Sequence, residues 1–203
     1  MHIALVGATG NVGTRLLAEL VRRGHTATAI ARHPERLPAM PGVTPRRGDV
    51  TDEAGLTALL AGHDAVVSAV RFVDSDPHLL IAAVKAAGVP RYIVVGGAGS
   101  LDVAPGVRLV DSPAFPAAYK AEALAGGAFL DVLRTEPTLN WTFISPAAMF
   151  VPGERTGRFR LGGDQLLTDH EGTSTVSFED FAIALADELE SPTHPRQRFT
   201  VAY

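Results

Sequence analysis

The chain opens with Met1-His2-Ile3-Ala4-Leu5-Val6 and runs straight into Gly7, Gly10 and Gly13, three glycines spaced three apart. A helical pattern follows at once. Leu16, Leu17, Leu20 and Val21 recur at helical spacing, with Arg15, Glu19, Arg22 and Arg23 between them. This reads as strand, tight turn and helix start. Gly7 allows the chain to reverse with positive φ, Gly10 has no Cβ to keep a phosphate from the backbone, and Gly13 lets the helix lie close to the strand. The free N–H groups and the positive end of the helix dipole then face an anion. Thr9, Asn11 and Val12 complete the turn, and the strand–turn–helix context assigns all six residues to a dinucleotide pyrophosphate.

The pattern continues along the chain. Thr26 to Ala31 is β-prone and ends at Arg32-His33-Pro34, and Val43 to Asp49 is a third strand. Thr51-Asp52-Glu53 opens a helix carrying Leu56, Leu59 and Leu60. Ala65 to Val70 is strand four. A helix from about Asp76 to Ala87 stops at Gly88-Val89-Pro90. Arg91 to Val95 is strand five, opening into Gly96-Gly97-Ala98-Gly99-Ser100. A loop rich in Pro and Asp, a long helix from about Ala117 to Arg134 and strand six, Trp141 to Ile144, come next. Strands alternating with helices demand right-handed crossovers and a parallel sheet covered on both faces. The near-continuous apolar runs Ala65-Val66-Val67 and Ile93-Val94-Val95 agree. The expected fold is a doubly wound α/β (Rossmann) domain over residues 1–203.

The last quarter reads as a small C-terminal cap, about residues 150–203, forming one wall of a substrate pocket. Arg158 to Leu161 and Gln165 to Thr168 form an expected short pair around Gly162-Gly163-Asp164. Ser177 with Asp180 resembles a capping box before the helix Phe178 to Glu190, and Arg198 to Tyr203 is a final strand.

Composition removes several classes of function. A net charge of −4 gives no electrostatic case for nucleic acid. With Cys 0 there is neither disulfide nor thiolate chemistry, which suits a reducing cytoplasm. No apolar run approaches the roughly 20 residues that span a bilayer, and no basic segment precedes the first strand, so neither membrane association nor a signal peptide is expected. The histidines show no paired metal-ligand spacing, so no metal site is expected. No Gly-x-Ser-x-Gly elbow is present.

In a dinucleotide fold the end of the second strand meets the adenosine ribose. A carboxylate there binds the ribose hydroxyls, whereas an arginine pairs with a 2′-phosphate. Here the position holds Ala31-Arg32-His33, with Arg36 about a turn later and no carboxylate before Glu35. NADP is therefore favoured over NAD, although Arg32 and Arg36 can also be read as plain surface charges. Asp49 and Val50 are placed to meet the adenine, or Asp49 simply serves the following helix dipole. Ala69 and Val70 allow close packing beneath the cofactor, and Arg71 reaches the pyrophosphate or the substrate, or is a solvated charge.

The run Gly7 to Gly13, Gly48-Asp49-Val50, and Gly96 to Ser100 resemble the atypical short-chain dehydrogenase/reductase superfamily. The chain is most similar to its small NAD(P)H-binding members, the NADH-flavin reductase group, and more distantly to flavin/biliverdin-IXβ reductase and NmrA-like proteins. One departure matters. That superfamily commonly uses Tyr-x-x-x-Lys as its acid, but here Ala123 stands four beyond Tyr119, and Tyr92 lacks the lysine too. The resemblance therefore implies a flavin-reductase mode, in which hydride passes to a stacked planar acceptor and the protein supplies geometry. It also implies Gly97 at the cofactor and Ser100 as the catalytic residue orienting the reacting groups, although Ser100 can also be read as a loop serine that caps the backbone. The histidine that such a reductase carries after strand six falls at about Ala147 and is missing. Pro146 is expected to bring strand six out over the nicotinamide, with Ala147 and Met149 as pocket wall. Arg155, Arg158 and Arg160 read as a basic cluster for a flavin phosphate or acidic substrate, or as a balance to Glu154 and Asp164. The leading expectation is an NADPH-dependent oxidoreductase, monomer or homodimer, acting on a flavin, quinone or similar small molecule. A non-catalytic NADP-sensing regulator and a biosynthetic reductase or isomerase are the alternatives.

Overall fold

The computed structural model describes residues 1–203. The first half runs β1 (His2–Val6), α1 (Asn11–Arg22), β2 (Thr26–Ala31), β3 (Val43–Arg47), α2 (Glu53–Leu60), β4 (Ala65–Ser68), α3 (Pro77–Ala86) and β5 (Tyr92–Val95). A hairpin of β6 (Asp102–Ala104) and β7 (Val107–Arg108) leads to α4 (Ala117–Thr135), β8 (Trp141–Pro146) and β9 (Met149–Val151). The chain ends with β10 (Arg160–Gly162), β11 (Thr175–Ser177), α5 (Phe178–Glu190) and β12 (Gln197–Ala202).

Eight strands make one sheet in the order β10-β12-β8-β5-β4-β1-β2-β3. Every pair in it is parallel except β10 with β12. The chain travels outward from β1 in one direction and from β4 in the other, so the order switches between them. In such sheets a crevice opens at the carboxyl ends of the two strands flanking the switch. Alternate residues of each strand feed two cores. Leu5, Ile93, Ile144 and Phe199 pack with Leu16, Leu20, Phe181 and Leu185 of α1 and α5. Val6, Val66, Tyr92 and Phe143 pack with Leu56, Leu80, Phe129 and Leu133 of α2, α3 and α4. The helices α1 and α5 lie side by side and parallel. Arg15 meets Glu179 at one end (3.2 Å), and Arg23 meets Asp187 (2.8 Å) and Glu190 (2.7 Å) at the other.

The C-terminal segment is built into this architecture more than laid over it. β12 and β10 extend the sheet, and α5 completes a helix layer. Only the parallel β9–β11 pair and the loop after β9 stand beyond the end of β8. The local pair expected around Gly162-Gly163-Asp164 does not form, because β10 pairs with β12 instead. Its second half is drawn away: Asp102 N donates to Asp164 O, Leu166 N donates to Asp102 O (both 2.9 Å), and Arg198 Nε donates to the Asp164 carboxylate (2.7 Å). The capping box forms by half. Ser177 Oγ accepts from Asp180 N (2.9 Å), but the buried Asp180 carboxylate turns to Thr156 N (2.7 Å), Gly157 N (2.8 Å) and the Tyr203 hydroxyl (2.9 Å).

Candidate functional site

A cavity of about 360 Å³ occupies the switch point. Its floor is the glycine turn. Gly7 has φ +85°, and a Cβ there would collide with the Ala69 carbonyl. A Cβ on Gly13 would collide with the Gly7 carbonyl, so this glycine seats α1 against the turn. The Gly7 and Ala8 amides donate to Ile30 O (2.9 and 3.3 Å), and Gly10 N donates to Gly7 O (3.1 Å). Beyond them, α1 begins without a capping side chain or an acidic residue in its first turn. By contrast α2, α3 and α5 are closed by Asp52, Asp76 and Ser177. An uncapped helix start bordering a cavity is suited to an external anion.

Arg32, His33 and Arg36 line the end of the cavity below β2 and β3. Neither arginine is paired, and the nearby Glu35 accepts from His33 instead (3.1 Å). Asp49 lines the same end. Its Oδ1 accepts from Thr51 N (3.0 Å) and Thr51 Oγ1 (2.9 Å), and these bonds hold its carboxyl below the usual range. Asp49 thus turns the chain from β3 towards α2, and its second oxygen makes no hydrogen bond within the protein. Val50 lies beside it. The opposite wall is Ala69, Val70, Arg71 and Asp74, fixed to β1 by Ala69 N donating to Val6 O (2.8 Å).

Ten residues singled out in the sequence therefore meet around one cavity: Gly7, Thr9, Gly10, Arg32, Arg36, Asp49, Val50, Ala69, Val70 and Arg71. Asn11, Val12 and Gly13 form the first turn of α1 beside it. Others lie elsewhere. Gly97 is half-buried in the loop after β5, with open space where a Cβ would stand. Ser100 follows it, and its hydroxyl accepts from Arg198 Nη1 (3.2 Å). Pro146 is buried at the end of β8, and the Ala147 side chain sits in the α1–α5 core, which leaves it only backbone to offer a pocket. Met149 is exposed. Tyr119 is 67% exposed at the start of α4.

The expected basic cluster of Arg155, Arg158 and Arg160 is absent. Arg155 leaves it to pair with buried Glu19 on α1 through two bonds (2.8 and 2.9 Å), and Arg160 donates to the carbonyls of Thr168 (2.7 Å) and Tyr203. Arg155 is the leading cause of the low pKa of Glu19, about 2, with Arg23 and Arg22 adding to it. Sequence reading passed over Thr51 and Asp74, which line the cavity, and Glu122, which braces its wall. Thr51 two residues after Asp49 is an Asx-turn signal. Nothing local marks Glu122.

A parallel sheet with a glycine turn at its switch point, an uncapped helix start and a basic rim defines a dinucleotide-binding Rossmann domain. The NAD(P)H-binding family model matches residues 7–192, and the chain belongs to that family, a branch of the atypical short-chain dehydrogenase/reductases. It is 41% identical to the Bacillus subtilis protein YwnB, over 99% of this chain and 98% of that one. A Burkholderia pseudomallei structure named "putative exported protein" is 46% identical with a TM-score of 0.91, covering 100% of both chains. A Streptococcus pneumoniae structure named "putative NADH-flavin reductase" is 36% identical with a TM-score of 0.83, covering 100% of this chain and 99% of that one. No helix of the chain is long and apolar enough to cross a membrane.

Proposed function

We propose that this protein is an NADPH-dependent oxidoreductase that passes hydride to a flavin, quinone or similar planar acceptor. The observation that carries the reading is the cavity's basic end: Arg32 directly after β2 and Arg36 in the turn beyond it line the cavity without an ion pair, and no carboxylate stands at residues 32–34, although Asp49 of the next strand end shares that side. In this reading Gly7, Gly10 and the first turn of α1 hold the pyrophosphate, Arg32 and Arg36 select the 2′-phosphate, and Asp49 with Val50 meets the adenine. NADPH, when bound, supplies the hydride. Gly97, Pro146 and the backbone at Ala147 bound the nicotinamide end. Ser100, whose oxygen accepts from Arg198, keeps its O–H free to orient the acceptor. The likeness to the S. pneumoniae protein supports a flavin-type acceptor by name only. We also propose a cytoplasmic location, supported by the lack of cysteine and the need for a reduced cofactor.

One observation favours a second reading. No tyrosine of the chain has a lysine four residues on, and Tyr119 is 67% exposed at the start of α4, so the Tyr-x-x-x-Lys acid of this superfamily has no counterpart. A regulator that senses NADP without turnover would need none. The two readings part in one assay. The protein is mixed with NADPH, and absorbance near 340 nm is followed with FMN, riboflavin and quinones. Acceptor-dependent loss of NADPH supports the enzyme. Tight NADP binding with no turnover across the panel supports the sensor.

A further inference from the structure

The loop from Ala69 to Asp74 forms a whole wall of the cavity, yet it contains no regular secondary structure beyond one 3-10 turn, Phe72–Asp74. Its position is set from outside by α4. Glu122, on the second turn of that helix, sends its carboxylate across to two consecutive backbone amides: Oε1 accepts from Phe72 N (2.7 Å) and Oε2 from Val73 N (3.1 Å). Both carboxylate oxygens are thus committed to one turn some fifty residues earlier in the chain. The ring of Phe72 continues the attachment. It lies over Gly126, where a Cβ would come within 2.9 Å of it, and it meets Phe129 and Phe143 at centroid distances of 5.3 and 6.0 Å. Main chain and side chain of Phe72 are therefore both fastened, one by charge and one by packing.

Arg71 connects this brace to the cavity. It lines the cavity, and its guanidinium stands between Asp74 (3.7 Å) and Glu122 (3.9 Å) while remaining 70% exposed. At those distances the two carboxylates guide the arginine without binding it tightly, so its hydrogen-bonding capacity stays available. The same wall carries the Ala69 carbonyl that meets Gly7. Any displacement of Phe72 and Val73 is passed along a few residues to the glycine turn.

We propose that Glu122 is a positioning residue for the dinucleotide: it holds the Ala69–Asp74 wall at the height that completes the site, and it presents Arg71 to the bound ligand. This rests on the NAD(P)H reading of the cavity. Charge-assisted bonds from a carboxylate to amides are among the stronger ones a protein makes, and a preorganised wall spares the ligand the cost of ordering it.

The test uses the intact protein, with NADPH affinity measured by titration and amide hydrogen exchange read at Phe72 and Val73. Glu122→Gln keeps the shape but surrenders one acceptor and the charge, whereas Glu122→Ala removes the brace. The expected rise in NADPH Kd is about threefold for the first and about tenfold for the second, a fraction of the worth of the charged hydrogen bonds, because only the cost of ordering the wall is passed to the ligand. Exchange at the two amides quickens in step, and the melting temperature falls by only a few degrees, less for Glu122→Gln than for Glu122→Ala. Combined with Arg71→Gln, Glu122→Gln adds less than its separate effect, since part of that effect runs through the Arg71 guanidinium. A general loss of stability would instead add fully. If wild type binds NADPH and Glu122→Gln and Glu122→Ala bind it equally well, or the double variant is additive, the positioning role is overturned while the cofactor reading stands. If wild type binds neither NADPH nor NADH, the cofactor reading itself is wrong. Should Glu122→Ala fail to fold, the glutamine variant and its amide exchange decide alone.

Discussion

The two halves of the sheet use their charges in opposite ways. On the β2–β3 side, none of Arg32, Arg36, Arg46 and Arg47 forms an ion pair, and α1 starts without a cap. On the β8–β12 side the buried charges are paired. Arg91, buried between strands, meets Glu188 (2.7 Å), and that carboxylate also accepts from His194 N (3.0 Å) and Thr193 Oγ1 (3.0 Å). Arg198 is closed on Asp164, Arg155 on Glu19, and Asp180 on the loop at Thr156 and Gly157. Buried charge survives only when paired, so the second pattern is what a scaffold requires. Unpaired cations and free amides around a cavity are what a ligand requires. The open charges lie at the switch-point cavity, and the paired ones hold the β8–β12 side of the sheet together.

The largest expected effect tests the scaffold. Glu188→Ala strands a buried guanidinium and should cost about 3–5 kcal/mol by chemical denaturation, with NADPH affinity of the folded fraction unchanged. A matching loss of affinity would break the contrast. Gly13→Val should act on both sides at once. Its side chain runs into the Gly7 carbonyl, costing about 1–3 kcal/mol and abolishing NADPH binding, as titration and melting would show.

Acid should loosen the ion pairs that tie α1 to the carboxyl-terminal segment. Glu19 is held at about 2 by its arginines, below its ordinary value of 4.5. Its folded pKa is depressed, so its contribution is complete above about pH 4.5 and is lost as the pH falls towards 2. Glu188 shifts in the same direction through His194 and Thr193, against the opposing effect of its burial. Melting temperature should therefore fall over that interval, and Glu19→Gln should flatten part of the decline. An unchanged profile in Glu19→Gln would remove Glu19 from the scaffold. The smallest effect concerns Ser100. Ser100→Ala should lower turnover about two- to tenfold, the loss of one orienting hydrogen bond, without altering NADPH Kd. No change in turnover would leave Ser100 as a partner of Arg198 alone.

The same contrast explains what could be read from the sequence. The glycine turn, Arg32, Arg36 and Asp49 lie at strand ends that periodicity locates, and the switch point gathers them without further instruction. Alternation of strand and helix carried the fold as far as β8. Reading failed where partners are distant. Arg155 resembled an anion ligand beside Arg158 and Arg160, but its partner Glu19 lies on α1. Gly162-Gly163-Asp164 resembled a hairpin turn, but Arg198 and Asp102 claim Asp164. The β6–β7 hairpin hid in a loop rich in Pro and Asp, where turn residues outweigh β-propensity. Glu122 showed nothing, because a helix glutamate aimed at a neighbouring loop looks like any surface glutamate.

The central claim is that the basic rim of the switch-point cavity receives a phosphorylated dinucleotide. Calorimetric titration of wild type and Arg32→Asp with NADPH and NADH tests it most directly. Wild type should prefer NADPH, and the substitution should shift the NADPH-to-NADH affinity ratio towards NADH by roughly tenfold to a hundredfold, the worth of a charged hydrogen bond. An unchanged ratio would contradict the NADP assignment, and no heat from either nucleotide at millimolar concentration would contradict the site itself.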